Sequence, residues 1–148
     1  AFLKLNSLLQ AQNFKEADKE TRKIMLAVAN REEEGWLRIE DAEKFPCKEL
    51  RSIDQLWLKY SRGKFGISVQ QQIYQSLGGT KEFNPDVWRS MGDRVGWRSR
   101  EKWLDYSDFN FSQTAPSGHL PGLFIGGWGG WCGMGVSSLL SRHAECNT

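Results

Sequence analysis

The feature that most narrows the fold of this 148-residue chain is an apolar spacing near 3.6 residues that recurs along it, while no stretch alternates for long. Leu50, Ile53, Leu56, Trp57 and Tyr60 give the strongest stripe, closed by Arg62-Gly63. Apolar residues three and four apart share one side of a helix, and that side must be buried against another element. Leu5, Leu8 and Leu9 mark a short first helix. Asn13 suits the N-cap of a second, because its side chain can accept from a free backbone N–H. The stripe of that helix is Phe14, Ala17, Thr21, Ile24, Met25 and Val28, and Glu32-Glu-Glu-Gly35 ends it. Ser68 with Gln71 fits a capping box ahead of Val69, Ile73 and Leu77, and Gly78-Gly79 stops that helix. Asn84-Pro85 is an N-cap followed by proline at the first helical position, then Val87, Trp88, Met91 and Val95. Five or six short helices with short connections predict an all-α fold, a compact bundle.

Two segments escape this period. Residues 31–47 hold Trp36, Leu37, Ile39 and Phe45 around at most a single turn. Residues 96–121 hold Trp97, Trp103, Tyr106, Phe109 and Phe111, alternating with Arg98, Arg100 and Lys102. Structureless loops of ~20 residues are uncommon in compact domains and are usually functional or disordered, and so many aromatic residues argue against disorder. The expectation is that the two segments face each other across a ligand cleft.

From Gly122 the chain changes character, with seven glycines by Gly135 interrupted by Phe124, Trp128 and Trp131. Ordering glycine costs backbone entropy, so the expected division is a core domain over 1–121 and a flexible Gly/Trp-rich tail over 122–148. Within that tail, Val136 to Arg142 is read as a short helix able to dock on a partner. Cys47, Cys132 and Cys146 form an odd, sparse set without paired spacing, which points to a reducing compartment and away from a disulfide scaffold. Ala1-Phe-Leu-Lys-Leu has no charged leader or cleavage pattern and reads as a mature or trimmed start. No apolar run approaches the ~18–20 residues of a membrane span.

Several chemistries are excluded by residue type. A Cys/His nucleophile pair would need Cys47 beside His119, and neither lies in a motif for it. Zinc needs about four closely arrayed ligands, which three scattered cysteines with His119 and His143 do not supply. The glycine run lacks the Gly-Lys-Ser/Thr of a phosphate-binding loop. His119 is either an axial ligand to a chelated Mg²⁺ or a turn histidine bonded to nearby backbone. The Glu32–Glu34 run reads as a solvated loop. Net charge is +2 and the pI about 8.5, below the strongly basic range of dedicated duplex binders.

The aromatic and cationic segment is harder to dismiss. Between residues 89 and 102, Arg89, Arg94, Arg98, Arg100 and Lys102 stand against Asp93 and Glu101, a local balance of +3. Planar rings beside fixed positive charges suit a flat apolar ligand with anionic arms, and arginine matches carboxylates in a bidentate way. A tetrapyrrole with its propionates is such a ligand. Single-stranded nucleic acid uses the same ingredients, stacking bases on aromatic rings along a positive groove. Carbohydrate modules also expose tryptophan platforms, usually on β scaffolds. A third reading makes Trp88, Trp97 and Trp103 core, covered by snorkelling arginines. Spacing does not separate these.

Specific words in unbroken order supply more. Ala17-Asp-Lys-Glu-Thr21, Phe45-Pro46, Ile53-Asp-Gln-Leu-Trp-Leu-Lys-Tyr-Ser61, Gly63-Lys-Phe-Gly-Ile-Ser-Val-Gln70, Gly92-Asp-Arg-Val-Gly-Trp97, Trp103-Leu-Asp-Tyr106 and Ala115-Pro-Ser-Gly-His-Leu-Pro121 together resemble the genomes-uncoupled-four family over about residues 3–121. The resemblance implies an all-helical, non-enzymatic regulator of chlorophyll synthesis. It implies binding of protoporphyrin IX and Mg-protoporphyrin IX, and activation of magnesium chelatase with that enzyme's large porphyrin-binding subunit. It further implies a monomer in the chloroplast stroma with partial peripheral membrane association, a link to plastid-to-nucleus signalling, and no role for nucleic acid. The implied site is a cupped apolar surface between two loops, corresponding to 31–47 and 96–121. On that reading Trp36, Leu37, Ile39 and Phe45 form one wall. Trp97, Trp103, Tyr106, Phe109 and Phe111 form the other, and Arg98 and Arg100 hold the propionates. The chain departs from many cyanobacterial members in beginning directly at this core, without an extra N-terminal helical bundle. The tail beyond Pro121 matches no family word, although Val-Ser-Ser-Leu-Leu resembles plant and algal extensions.

Overall fold

The computed structural model describes residues 2–122 and 133–147. Its helices are α1 (Leu3–Gln10), α2 (Phe14–Val28), α3 (Ile39–Glu43), α4 (Cys47–Ser61), α5 (Ile67–Ser76), α6 (Pro85–Val95) and α7 (Gly133–Cys146). Between α6 and α7 lie a two-residue-per-strand hairpin, β1 (Arg98–Ser99) and β2 (Lys102–Trp103), and a single 3₁₀ turn at Tyr106–Asp108. The all-α expectation holds: the described residues are mainly helical, and the hairpin is the one small sheet among them. No described helix is long and apolar enough to cross a membrane.

The stripes meet where the spacing placed them. Phe14 of α2 stacks on Trp57 of α4, with centroids 6.1 Å apart, and Phe65 meets Phe14 edge-on at 5.4 Å. Leu5, Leu9, Met25 and Ile53 complete this end of the core and are fully buried. Burying one such side chain contributes about 1.5–3 kcal/mol. Thr21, the polar member of the α2 stripe, accepts from Trp57 Nε1 (2.9 Å) and donates to Ala17 O (2.8 Å). Its hydroxyl therefore enters the core with both roles satisfied. Asn13 and Asn84 cap α2 and α6 as read, the latter accepting from Asp86 N–H (2.9 Å) and Val87 N–H (3.3 Å).

Helix α5 starts differently from its predicted capping box. Ser68 sits inside the first turn, and its N–H and hydroxyl bond Asp54 Oδ1 at 2.8 and 3.1 Å. The cap is a carboxylate delivered from α4, so only glycine fits at 66. A Cβ there would lie 2.8 Å from that oxygen, and φ is +142°. A cap supplied across 14 residues leaves no local signature.

Two further expectations are overturned. Cys47 and Cys146 form a disulfide across a separation of 99 residues. The return of α7 across α3 and α4 brings them together, a proximity that count and spacing could not reveal. Residues 133–147 of the supposed flexible tail form α7, with Val136, Leu139 and Leu140 fully buried. The segment read as a partner-docking helix, Val136–Arg142, packs instead on the chain's own α3, α4 and α5, because its apolar side completes their core. The Gly/Trp stretch 123–132 lies outside the described residues.

Candidate ligand-binding site

One face of α2 joins the two irregular segments. Arg22 Nη2 donates to Gly35 O in the first segment at 2.7 Å. One turn earlier, Asp18 accepts from Tyr106 Oη and from Gly122 N–H, the latter at 2.6 Å, so it grips the second segment near its middle and at its end. Residues four apart on a helix stand on one face. The two segments are therefore fastened to the same face of α2, about one turn apart. Asp18 is buried, and that burial pushes its carboxyl up to about 6, against the opposing pull of Tyr106 and Gly122. Burial and the Asp18 charge in turn push the Tyr106 phenol well above its ordinary range.

In the first segment Leu37 and Phe45 are fully buried, whereas Trp36 (40% exposed) and Ile39 (41%) reach solvent. Arg31 lies over the Trp36 ring at 5.0 Å and contacts Glu34 and Asp41. Arg38 bonds Asp41 at 2.9–3.0 Å and so starts α3. A cavity of about 260 Å³ behind it is lined by Val28, Arg38, Asp41, Lys44 and Pro46.

The second segment is built on rings. Trp97 is fully buried and donates from Nε1 to His119 O at 2.8 Å. Trp88 of α6 tilts against it at 5.7 Å, and on the far side stacks with Trp103 at 5.6 Å and 21°. Trp103, 39% exposed, lies across Gly92, where a Cβ would meet the indole at 2.6 Å. Tyr106, Phe109 and Phe111 form a second cluster with centroids 5.2–6.3 Å apart. Phe109 is buried against His119 at 4.9 Å, and Tyr106 and Phe111 are half-buried.

His119 resolves between its two readings. Asn110 N–H donates to Nε2 at 3.0 Å, so the proton sits on Nδ1 and is donated to Val95 O at 2.8 Å. Both nitrogens are engaged by backbone, which makes it the turn histidine. Burial lowers its pKa, opposed by the Val95 bond. No cluster of three metal-ligating side chains occurs among the described residues.

The arginines divide as well. Arg98 bonds Asp93 at 3.1 and 3.2 Å and Glu101 O at 3.3 Å, bracing the hairpin. Its Nε is a buried donor with no partner among the described residues. Arg100 is exposed at the tip, where it and Glu101 both hold positive φ (53° and 67°). A two-residue hairpin with positive φ at both central positions usually calls for Asn-Gly.

Of the sequence-predicted set, Trp36, Ile39, Trp103 and Arg100 thus present surface to solvent. Tyr106, Phe111 and Arg98 are part-covered, while Leu37, Phe45, Trp97 and Phe109 form the layer beneath. Asp18, Arg22, Trp88 and Gly92 were not in that set. Asp18 had left a signal: it is a carboxylate within the apolar stripe between Phe14 and Thr21. The surface pairs flat apolar rings with an outward cation, which suits a planar ligand bearing carboxylates.

A model of the family described as GUN4-like matches residues 1–132. A Ycf53-like protein of Synechocystis is 36% identical over 123 residues, 81% of this chain and 50% of its own length. A tetrapyrrole-binding chloroplastic protein of Arabidopsis thaliana is 30% identical over 122 residues, 79% of this chain and 46% of its own length. The chain spans about half the length of the curated relatives it matches. Ligand-free Arabidopsis GUN4 superposes with a TM-score of 0.77 at 25% identity, over 95% of this chain and 91% of that one. GUN4 of Chlamydomonas reinhardtii shares the fold, with a TM-score of 0.74, 24% identity, and coverage of 97% and 88%.

Proposed function

The chain belongs to the GUN4-like family, and on that footing we propose that it binds a tetrapyrrole without turning it over. The observation that carries this reading is the fastening of two ring-bearing segments to one face of α2, the first exposing Trp36 and Ile39 and the second exposing Trp103. The ligands proposed are protoporphyrin IX and Mg-protoporphyrin IX. The macrocycle lies against Trp36, Ile39 and Trp103, with Tyr106 and Phe111 at its edge. Leu37, Phe45, Trp97 and Phe109 support those rings from beneath. Arg100 receives one propionate, and Arg98 another. Since the Arabidopsis relative is named as tetrapyrrole-binding and chloroplastic, the proposed place of action is the chloroplast. The proposed consequence of binding is activation of magnesium chelatase, in concert with its large porphyrin-binding subunit, with plastid-to-nucleus signalling downstream.

Absorbance titration with protoporphyrin IX tests the reading. Binding shifts and sharpens the main porphyrin band and quenches tryptophan emission. An unshifted band, together with oligonucleotide binding that weakens steeply with salt, would replace it with the nucleic-acid alternative. A chelatase assay then separates two modes of activation. Stimulation that disappears at saturating porphyrin means delivery of substrate. Stimulation that persists means a conformational effect, which requires different affinities for the two enzyme states.

A further inference from the structure

We propose that Cys47–Cys146 is a thiol–disulfide exchange site for a dithiol reductant, and that opening it weakens ligand binding by loosening the 31–47 segment. The second half of this statement rests on the tetrapyrrole reading; the first does not.

The disulfide joins the first residue of α4 to the last residue of α7, and both cysteines are half-buried rather than in the core. It lies within a set of contacts that all hold the C-terminal half of α7. Arg51 Nη1 donates to Cys146 O at 2.8 Å. His143 Nδ1 lies 2.6 Å from Gln71 Oε1, and its Nε2 lies 3.5 Å from Asp54 Oδ2. Arg142 Nε donates to Phe45 O at 2.9 Å. That last bond matters for function, because Phe45 is the buried end of the segment that presents Trp36 and Ile39. Helix α7 also packs along α3, within the same segment. The covalent link therefore fixes a helix that backs one side of the candidate site.

The exchange balances as two successive displacements. A thiolate of the reductant attacks Cys146 Sγ, the Cys47–Cys146 bond breaks, and Cys47 leaves as a thiolate. Its position at the N-terminus of a 15-residue helix favours that leaving group. The reductant's second thiol then attacks its own sulfur in the mixed disulfide and releases Cys146. Two electrons and two protons pass to the protein, and the reductant closes its own disulfide. Helix α7 remains seated through Val136, Leu139 and Leu140, which are fully buried. The expected loss is local order near residues 142–146 and 37–47 rather than unfolding.

Dithiothreitol applied to the native full chain, followed by alkylation and peptide mapping, reads the exchange. The expected result is alkylation of both Cys47 and Cys146 with helical circular dichroism retained, and faster amide exchange near 37–47. Porphyrin affinity should fall about fivefold or more, the low end of measured couplings between sites. The Cys146→Ser variant should bind as the reduced protein does and ignore dithiothreitol. Failure of the folded protein to accept alkylation at Cys47 and Cys146 overturns the exchange site. Full alkylation with unchanged porphyrin affinity overturns the coupling. If neither form binds porphyrin, the tetrapyrrole reading falls, while alkylation and amide exchange still decide whether the bridge is exchangeable.

Discussion

The two segments fastened to α2 are held by different forces. Residues 31–47 bury Leu37 and Phe45 in the core but are otherwise fixed by ion pairs, among them Arg31 with Glu34 and Asp41, and Arg38 with Asp41, and from behind by α7. Residues 96–121 are fixed from within, by Trp97 and Phe109 in the core and by backbone and carboxylate hydrogen bonds at His119 and Asp18. An ion pair with a solvent-exposed member, such as Arg38–Asp41 or Arg31–Glu34, contributes roughly 0–1 kcal/mol, whereas a large buried ring contributes several times that. The first segment is thus open to adjustment by its neighbours. The second is as firm as the core.

The largest expected effect breaks the firm side. Trp97→Ala should lower unfolding free energy by about 3–5 kcal/mol, read by denaturant titration, since it removes a fully buried indole and strands His119 O. A loss under about 1 kcal/mol would mean that the second segment is not anchored through the core.

The next effect concerns the clamp. Burial raises the Asp18 carboxyl from 3.8 to about 6, so the folded state holds this proton more tightly than the unfolded chain does. Its contribution to stability is fully present below pH 3.8 and lost as pH rises through 6. For His119 the sign is opposite, because burial lowers its pKa. Its contribution is present above the ordinary value of 6.5 and declines as pH falls below it. Asp18→Asn should remove only the first trend. The stability of Asp18→Asn minus that of the parent should therefore climb between pH 4 and 6, by at most about 3 kcal/mol. A flat difference across that range would deny the carboxylate its role.

A smaller effect is expected on binding. Trp103→Ala removes the exposed ring of the second side, and should weaken protoporphyrin binding by about tenfold, or about 1.4 kcal/mol. Unchanged affinity in fluorescence titration would take Trp103 out of the site. Smallest is the hairpin tip, where left-handed backbone at ordinary residues costs about 1–2 kcal/mol per residue. Arg100→Asn with Glu101→Gly should raise stability by roughly 0.5–1 kcal/mol after glycine's entropy is counted. If the pair also weakens porphyrin binding, the Arg100 side chain is part of recognition and not only of the turn.

Much of the fold was legible because helices announce themselves locally. The stripe through Phe14, Thr21 and Met25, the stripe through Ile53 and Trp57, and the caps at Asn13 and Asn84-Pro85 depend on neighbours within one or two turns. What stayed hidden depends on residues far apart. Asp54 caps α5 from another helix, Cys146 reaches Cys47 through the path of α7, and the core takes α7 where glycine content suggested a loose tail. The site was half legible for the same reason. Composition marked 31–47 and 96–121 as unusual, but not that Leu37 and Trp97 turn inward while Trp36 and Trp103 turn out. Loops have no period from which to read a facing direction. The hairpin tip was obscured too, since Arg100-Glu101 occupies positions where Asn-Gly would have been recognised.

Gly92 has a consequence for how the surface responds to a ligand. A glycine inside a helix forfeits about 1 kcal/mol relative to alanine, and α6 accepts that loss so that the edge of the Trp103 indole can lie against its backbone. A ring seated on a helix and backed by Trp88 inherits the stiffness of that helix, although a loop carries it. Little freedom remains to be surrendered when a guest arrives. If Trp103 is a contact of the proposed site, that part of the surface is formed before a ligand arrives.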